Sequence, residues 1–199
     1  MNYKIIPLSH LNGEQVEGLA RLHHRVMHSL LTDLGLPFVE RYYRIAGRDS
    51  SVVGMCAVDN DGNLLGWAAG SPKPNQVNRR MRDAWMWFII QMLRVSLTRP
   101  KLIRQLVASA RSSSAEMKAG AIELTYLGVD ASARKQGLGR ALLNAFLEAA
   151  RAKKFSTVEL SVEADNAGAI ALYTKAGFAI IASFKEGAFD RHRMELKLG

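Results

Sequence analysis

Apolar and polar positions along the chain predict helices alternating with strands. Between residues 14 and 30, apolar side chains recur every three or four positions, the period of an amphipathic helix, and Asn12 stands where its cap is expected. Two apolar runs flank the polar segment Asp59–Asn63, and the Asp-Gly step in it predicts a β-hairpin. Further helices are predicted over 38–46, 138–153 and 167–175, strands over 3–8, 51–58, 64–69, 122–129, 157–162, 178–184 and 193–198, and loops over 32–37 and 185–190.

The length and apolar content of the chain fit one α/β domain. Its 199 residues match a single domain in size, and an apolar content of 48% with a mean hydropathy of −0.04 excludes wholesale disorder. The single cysteine, Cys56, excludes an intrachain disulfide and a zinc site built from cysteines. No apolar run is long enough to span a bilayer, and the first residues lack the apolar stretch of a signal peptide, so we expect a cytoplasmic protein.

Positive charge is concentrated in one part of the chain. The net charge is +9, and the segment 71–120 holds ten basic and two acidic residues, so it carries all but one of these charges. Helices are predicted over 81–97 and 102–110 of this segment, with a break at Arg99-Pro100. We therefore expect a basic helical insertion in an otherwise nearly neutral body.

A polar loop with two glycines has the composition of an anion-binding site. Gly137 and Gly139 follow a predicted strand and begin a predicted helix. The first N–H groups of a helix have no partners within it, the helix dipole favours negative charge there, and glycine lets a ligand approach the backbone. Leu142 stands in place of the third glycine of a dinucleotide-binding motif, which excludes that motif, and a glycine turn without ligand is the alternative. Three basic side chains add positive charge to the loop: Arg134, Lys135 and Arg140.

Two motifs of the chain resemble those of one known family. The stretch Arg134–Gly139 is similar to the Gln/Arg-x-x-Gly-x-Gly/Ala motif of the GNAT superfamily of CoA-dependent N-acyltransferases. Asn166–Phe178 resembles the Asn-x-x-Ala-x-x-x-Tyr-x-x-x-Gly-Phe element of the same family, and two motifs in the right order are more specific than either alone. The resemblance covers residues 122–184. It implies a single GNAT-like α/β domain over 1–199, with a mixed, mostly antiparallel sheet of six to seven strands flanked by helices, and the insertion at about 71–120 between its third and fourth strands.

The resemblance implies transfer of an acetyl group from acetyl-CoA, the cosubstrate, to an amine by direct attack in a ternary complex. The sequence contains no metal-ligand spacing, so no metal is expected. The pyrophosphate would lie on backbone N–H groups of the glycine loop, and the pantetheine arm would bind between two diverging strands. Asn166 would contact this arm, or it would cap the following helix, and both roles are compatible. The implied CoA-binding residues are Leu127, Val129, Arg134, Lys135, Gln136, Gly137, Leu138, Gly139, Arg140 and Asn166.

Two residues take catalytic roles by the same resemblance. An amine with a pKa near ~10.4 must lose a proton before it attacks, and Glu123 is the implied base, directly or through water. The alternative for Glu123 is a solvent-facing strand residue, and Glu163 is a second candidate base. Tyr173 matches the tyrosine that donates a proton to the leaving thiolate, with packing of its ring as the alternative. Ser161 stands where some relatives that acetylate protein N-termini carry glutamate, which argues against that substrate class.

The basic insertion admits three interpretations. Residues 83–93 are apolar almost all round, and we favour a lid buried against the acceptor site. A peripheral membrane contact is the second interpretation, because tryptophan and phenylalanine suit the bilayer interface and arginine suits anionic headgroups. Nucleic-acid binding is the third and least favoured, because aromatic and basic positions interleave too sparsely. The positive charge favours an anionic acceptor, which is a small molecule or a protein.

Two rival functions remain open at the level of sequence. In the first, the enzyme transfers a longer acyl chain, which the aromatic insertion would line. In the second, the protein binds CoA or a membrane surface without catalysis. Cys56 lies away from the motifs, which argues against an acyl-cysteine intermediate, and the histidines His23 and His24 are expected to be surface or packed residues. The oligomeric state is not determined by the sequence, which is compatible with a dimer.

Overall fold

The computed structural model describes residues 2–73, 80, 86, 89–93, 118–186 and 189–199. Within these ranges the chain forms seven strands, five complete α-helices and two short 3-10 helices, Leu8–His10 and Ala131–Ala133, and residues 80, 86 and 89–93 are also helical. The helices are α1 (Gly13–Val26), α2 (Leu30–Leu34), α3 (Leu36–Ala46), α4 (Leu138–Ala152) and α5 (Ala167–Lys175). The strands are β1 (Tyr3–Pro7), β2 (Val53–Asp59), β3 (Leu64–Ser71), β4 (Ala121–Val129), β5 (Thr157–Glu163), β6 (Ala179–Glu186) and β7 (Phe189–Lys197).

All seven strands lie in one sheet with the order β1-β2-β3-β4-β5-β7-β6. Neighbouring strands are antiparallel except β4 and β5, which are parallel. This confirms the predicted mixed, mostly antiparallel sheet. The predicted helix at 102–110 lies outside the described residues, and of the predicted helix at 81–97 the described residues are helical. In the described part of the chain, no helix is both long and apolar enough to cross a bilayer.

Local side-chain hydrogen bonds explain where the first helix and the first hairpin begin. Asn12 Oδ1 accepts from the backbone N–H of Gln15 at 2.9 Å, and Gln15 Oε1 accepts from that of Asn12 at 3.1 Å, which forms a capping box. In the turn between β2 and β3, Asp59 Oδ1 accepts from the N–H groups of Asp61 and Asn63 at 2.9 and 2.8 Å. The predicted cap and hairpin are therefore confirmed.

Two predicted loops are wrong. The first helix ends at Val26 and not at residue 30, and residues 32–34 of the loop expected at 32–37 belong to the helix Leu30–Leu34. The Ser29 hydroxyl accepts from the N–H of Thr32 at 3.2 Å and caps this short helix, which ends before Gly35. The predicted loop at 185–190 is mostly strand, since Lys185 pairs with Asp190 and continues the β6–β7 hairpin. In both places hydrogen bonding organises a segment whose polar composition is typical of a loop.

Helices cover both faces of the sheet and enclose two cores. The first core lies under α1, α2 and α3, and its largest members are Trp67, Tyr43 and Phe38. The second lies under α4 and α5 and includes Phe146 and Ile122. Strand β3 is buried along its whole length because its alternate side chains enter opposite cores. The centre of the sheet is thus packed on both faces, and β3 positions its neighbour β4 by antiparallel pairing.

Candidate functional site

Strands β4 and β5 separate after a short stretch of pairing. Residues Ala121–Glu123 pair with Thr157–Glu159, and the recorded pairing ends there. Both strands continue, β4 to Val129 and β5 to Glu163. They therefore diverge into a cleft whose narrow end lies at Glu123 and whose wide end lies at the carboxyl ends of both strands.

A β-bulge lies on β4 just beyond the narrow end of the cleft. Ala69 pairs with Tyr126 whereas Gly70 pairs with Leu124, so Thr125 is an extra residue on β4. Bulges bend the strand that carries them and increase its local twist. The bulge accounts for the turn of β4 away from β5, and the backbone beyond it borders the cleft.

The glycine loop lies at the wide end of the cleft, between β4 and α4. Gly137 is the N-cap of α4 with φ +82°, a left-handed conformation that glycine adopts without strain, and it has no side chain that could bond the first turn. The N–H groups of Leu138, Gly139 and Arg140 have no acceptor within the helix. The loop therefore presents open donors at a positive helix end.

Gly139 leaves room beside these donors. A Cβ placed there would lie 3.7 Å from Leu172 Cδ2 and 3.8 Å from Val129 Cγ2, which are ordinary contacts. The protein would thus accommodate alanine at this position. The same contacts show that α5 and the end of β4 meet the start of α4, so the elements that carry both sequence motifs border one site.

The predicted CoA-binding side chains occupy different environments. Arg134 Nε donates to the Val129 carbonyl at 3.1 Å, and Gln136 Nε2 donates to the Ser132 carbonyl at 3.0 Å, so both stabilise the loop itself. Lys135 is exposed, as is Arg140 on the first turn of α4, and Leu127 and Val129 are half-buried against the second core. Asn166 Oδ1 accepts from the Ala169 N–H at 3.1 Å and caps α5. The structure brings these residues to the wall and wide end of one cleft, and their binding role stays a prediction.

Tyr173 is a buried residue of α5. Its ring packs against Phe178 with centroids 5.7 Å apart, so the packing role is real. Burial raises the pKa of Tyr173 to about 12, because the phenolate would be poorly solvated. The hydroxyl is therefore protonated at neutral pH and able to donate a hydrogen bond.

Glu123 belongs to an ionic network on the face of the sheet that α1 and α3 cover. Its carboxylate lies 3.8 Å from Arg193 Nη1, and it is only partly exposed. Arg193 Nε donates to the buried carboxylate of Glu159 at 3.1 Å, and its Nη1 donates to Ser161 Oγ at 3.1 Å. Burial, with a smaller contribution from the Glu123 charge, raises the pKa of nearby Tyr126. Glu123 is thus held between a cation and an aromatic cluster and is only partly accessible to solvent.

Sequence reasoning missed Arg193 and Glu159. The signal available was the alternation along β5, where Val158, Leu160 and Val162 are buried in the second core and the residues between them are polar. That alternation places Glu159 on the opposite face. It does not reveal that Arg193 is its partner, because this depends on the register of β5 with β7.

Glu163 lies far from Glu123. Glu123 pairs with Glu159, and Glu163 is four residues further along β5, so about 13 Å separates the two positions. Glu163 lines a cavity of about 410 Å³ together with Ala164, Asp165, Phe189 and Asp190. One acceptor amine therefore cannot use both glutamates as its base. Within the described ranges, no three histidine, cysteine, aspartate or glutamate side chains are grouped to hold a metal ion.

Comparison with protein families decides the affiliation of this fold. The protein-family model that describes the acetyltransferase (GNAT) family matches residues 21–178, more than half of the chain. The chain belongs to the acetyltransferase (GNAT) family. The resemblance carried by the two sequence motifs is therefore confirmed, together with the α/β fold that it implied.

Named relatives match this GNAT chain over short stretches. Mycothiol acetyltransferase of Beutenbergia cavernae is 48% identical over 60 residues, which cover 30% of this chain and 20% of that protein. The ribosomal protein bS18-alanine N-acetyltransferase of Escherichia coli K12 is 44% identical over 55 residues, which cover 28% of this chain and 37% of that protein. The matched stretch spans well under half of either relative.

A solved structure shares the fold along the whole GNAT chain. The crystal structure of Arabidopsis thaliana NAA60 in complex with acetyl-CoA superposes with a TM-score of 0.63 at 16% sequence identity. The match covers 99% of each chain. At this identity the likeness concerns the fold.

A buried histidine supports the wall of the GNAT cleft. His23 on α1 is fully buried, with Nδ1 2.7 Å from the Tyr43 hydroxyl and its ring 4.8 Å from that of Tyr126 on β4. Burial, and to a lesser degree the charge of His24, lowers the pKa of His23 from 6.5 to about 4. The ring is therefore neutral in the folded protein near neutral pH, and of the two predicted options for His23, a packed residue is confirmed.

We expect His23 to make folding sensitive to acid. Its folded-state pKa is depressed, so the unfolded chain takes up a proton at this ring first, and stability is lost as pH falls from about 6.5 towards 4. The loss from this group reaches about 3 kcal/mol. Urea unfolding measures how much stability is lost between about pH 7.5 and about pH 4.5. This loss should be smaller in His23→Gln than in wild type by roughly 2 kcal/mol or more. His10→Gln, which alters an exposed histidine, should retain the wild-type difference, and equal acid sensitivity of His23→Gln and wild type would contradict this role.

Proposed function

We propose that this protein transfers an acetyl group from acetyl-CoA to an amine in a ternary complex, within a single domain over 1–199 that carries a basic insertion at 71–120. The observation that carries the proposal is the cleft between β4 and β5, which opens onto the unpartnered N–H groups at the start of α4. An extended pantetheine arm can bind the backbone of β4 as an added strand would, and a pyrophosphate suits a helix N-terminus.

The residues present fit acetyl-CoA along the whole cleft. Leu127 and Val129 would offer backbone groups to the arm, with half-buried side chains that form its apolar wall. The loop from Arg134 to Arg140 would hold the pyrophosphate through its N–H groups, helped by the exposed charge of Lys135. Asn166 would add a contact while it caps α5. The likeness of the fold to NAA60, whose structure contains acetyl-CoA, supports this placement.

Glu123 is the proposed base. An arm anchored at the wide end and running along β4 brings its far end to the narrow end, where Glu123 lies. The attacking amine must be neutral, and a carboxylate there can take its proton directly or through water. Arg193 keeps the carboxylate in place. Glu163 would serve instead only for an amine bound in the cavity at the other end of β5.

Tyr173 is the proposed hydrogen-bond donor to the leaving sulfur. With a pKa of about 12, it remains protonated while a thiolate of pKa near ~8.5 departs. The gap between these two pKa values favours donation of a hydrogen bond over complete proton transfer. This role stabilises charge that develops as the thioester breaks.

The acceptor class is a small molecule or a protein. Relatives that match parts of the chain are named for mycothiol and for the alanine of ribosomal protein bS18, so both kinds occur among them. The positive charge of the insertion supports an anionic acceptor. An assay of acetyl transfer to a panel of amines, in which the release of free thiol is measured, would identify the class.

Gly139→Glu provides the sharpest test of CoA binding. We expect at least about tenfold weaker binding of coenzyme A by calorimetry, because the added carboxylate stands beside the N–H groups that the pyrophosphate must approach and repels its negative charge. The protein accommodates the new Cβ at ordinary contact distances, and an acidic residue suits the first turn of a helix, so the unfolding temperature should stay close to that of wild type.

The matched control is Gly13→Glu. Gly13 begins α1, away from the cleft, and a Cβ there meets no atom within 4 Å. This variant places the same charge at the start of another helix and should bind coenzyme A as wild type does. Absence of any binding heat in the wild-type protein, or full affinity in Gly139→Glu, would defeat the proposal.

A further inference from the structure

Four large aliphatic side chains lie exposed on the helical segment between β3 and β4. Met86, Ile89, Ile90 and Leu93 are 46–63% exposed. With 3.6 residues per turn, their positions share an arc of about 100° on one side of the helix. We call these four residues the aliphatic stripe. One side of the described part of this helix is therefore left uncovered by the described residues.

The opposite side of the helix holds it to the protein. Met92 is half-buried against the first core, and Gln91 is also half-buried. On the helix these two positions lie opposite the centre of the aliphatic stripe. Arg80 strengthens the attachment, because its Nη1 lies 2.6 Å from the Asp49 carboxylate in the loop before β2. The aliphatic stripe is therefore directed away from the first core and from the other residues that the structure describes.

The charge of the sequence that contains the stripe indicates what covers it. The segment 71–120 carries eight of the nine net positive charges of the chain. A second copy of the chain would bring like charges together, which opposes association. A nucleic acid would satisfy the charge but would leave the aliphatic side chains in water. An anionic bilayer satisfies both, since aliphatic groups enter the interface while basic residues meet the headgroups.

We propose that the aliphatic stripe docks this protein on the surface of an anionic lipid bilayer. The stripe enters the boundary between headgroups and acyl chains, and the basic segment supplies electrostatic attraction. This docking is independent of the acetyl transfer proposed above.

The test is co-sedimentation with vesicles. Wild-type protein is mixed with vesicles of phosphatidylcholine alone or of phosphatidylcholine with phosphatidylglycerol, at low and high salt. The test variant is Ile89→Ser/Ile90→Ser/Leu93→Ser. The matched control is Ile180→Ser/Ile181→Ser/Phe184→Ser on β6, which removes three apolar side chains of 39–49% exposure elsewhere. Thermal unfolding of each variant verifies that it is folded.

We expect wild type and control to sediment with the anionic vesicles, less so at high salt, and the test variant to bind about tenfold more weakly. Wild-type protein that stays in the supernatant with anionic vesicles at low salt would overturn the proposal. Equal binding by the folded test variant would overturn it too. A wild-type dimer that the test variant dissolves, without vesicle binding by either, would assign the stripe to a second copy instead.

Discussion

Tyr173→Phe is expected to lower kcat about 100-fold while the affinity for coenzyme A and the free energy of unfolding stay close to wild type. The substitution removes the hydroxyl that would stabilise the leaving sulfur and keeps the ring that packs 5.7 Å from Phe178. Steady-state rates of thiol release, with calorimetric binding of coenzyme A, separate the two properties. A kcat loss without a change in affinity is the signature of an interaction made in the transition state.

Tyr3→Phe is the control for this experiment. Tyr3 lies exposed on the outer strand β1, so loss of its hydroxyl should alter neither rate nor affinity. If Tyr173→Phe retains kcat within about twofold of wild type, Tyr173 has a packing role alone. The departing sulfur would then need another hydrogen-bond donor, while the proposal for CoA binding would be unaffected.

Local patterns predicted the second half of the chain well. The helix expected at 167–175 is α5 residue for residue, and the helix expected at 138–153 differs from α4 by one residue. Both begin with a strong local signal, a left-handed Gly137 or a capping Asn166, and α4 has a clear apolar face. Elements whose beginning and buried face are encoded within a few residues can be predicted from sequence.

Elements without a clear local signal, and elements that depend on distant partners, were predicted less well. The apolar pattern carried the first helix to residue 30, whereas the Ser29 hydroxyl accepts from the N–H of Thr32 and begins the separate helix α2. Strand β7 extends four residues earlier than predicted because it pairs with both β5 and β6, and polar residues tolerate this when their backbone is bonded. Strand pairing overrides the weak local preference of polar residues.

The candidate site also contains one part that local sequence predicts and one part that depends on distant residues. The glycine loop is contiguous in sequence, and the structure places Gly137 and Gly139 at the head of a helix, as the pattern predicted. The setting of Glu123 could not be predicted, because it depends on a side chain seventy residues later. Arg193 reaches Glu123 through the parallel pairing of β4 with β5 and the antiparallel pairing of β5 with β7. A catalytic assignment from a motif therefore says little about what surrounds the residue.

Arg193→Met is expected to destabilise the protein by about 3–5 kcal/mol. The carboxylate of Glu159 is 6% exposed and accepts a hydrogen bond from Arg193 Nε at 3.1 Å. Removal of the guanidinium leaves a buried charge without its partner and leaves the Ser161 hydroxyl without its donor. Urea unfolding followed by circular dichroism at neutral pH measures the loss.

The double variant Arg193→Met/Glu159→Leu distinguishes an ionic cause from lost packing. It removes both charges, so we expect it to regain most of the stability that the single variant loses, because a buried pair is often replaceable by apolar side chains of similar volume. Arg151→Met on the exposed side of α4 should change stability by less than about 0.5 kcal/mol. The opposing results are that Arg193→Met lowers the free energy of unfolding by less than about 1 kcal/mol, or that the double variant is as unstable as the single one. Either result would mean that Arg193 does not stabilise the buried carboxylate of Glu159. Glu123 would then have to be held at the narrow end of the cleft by something other than this pair.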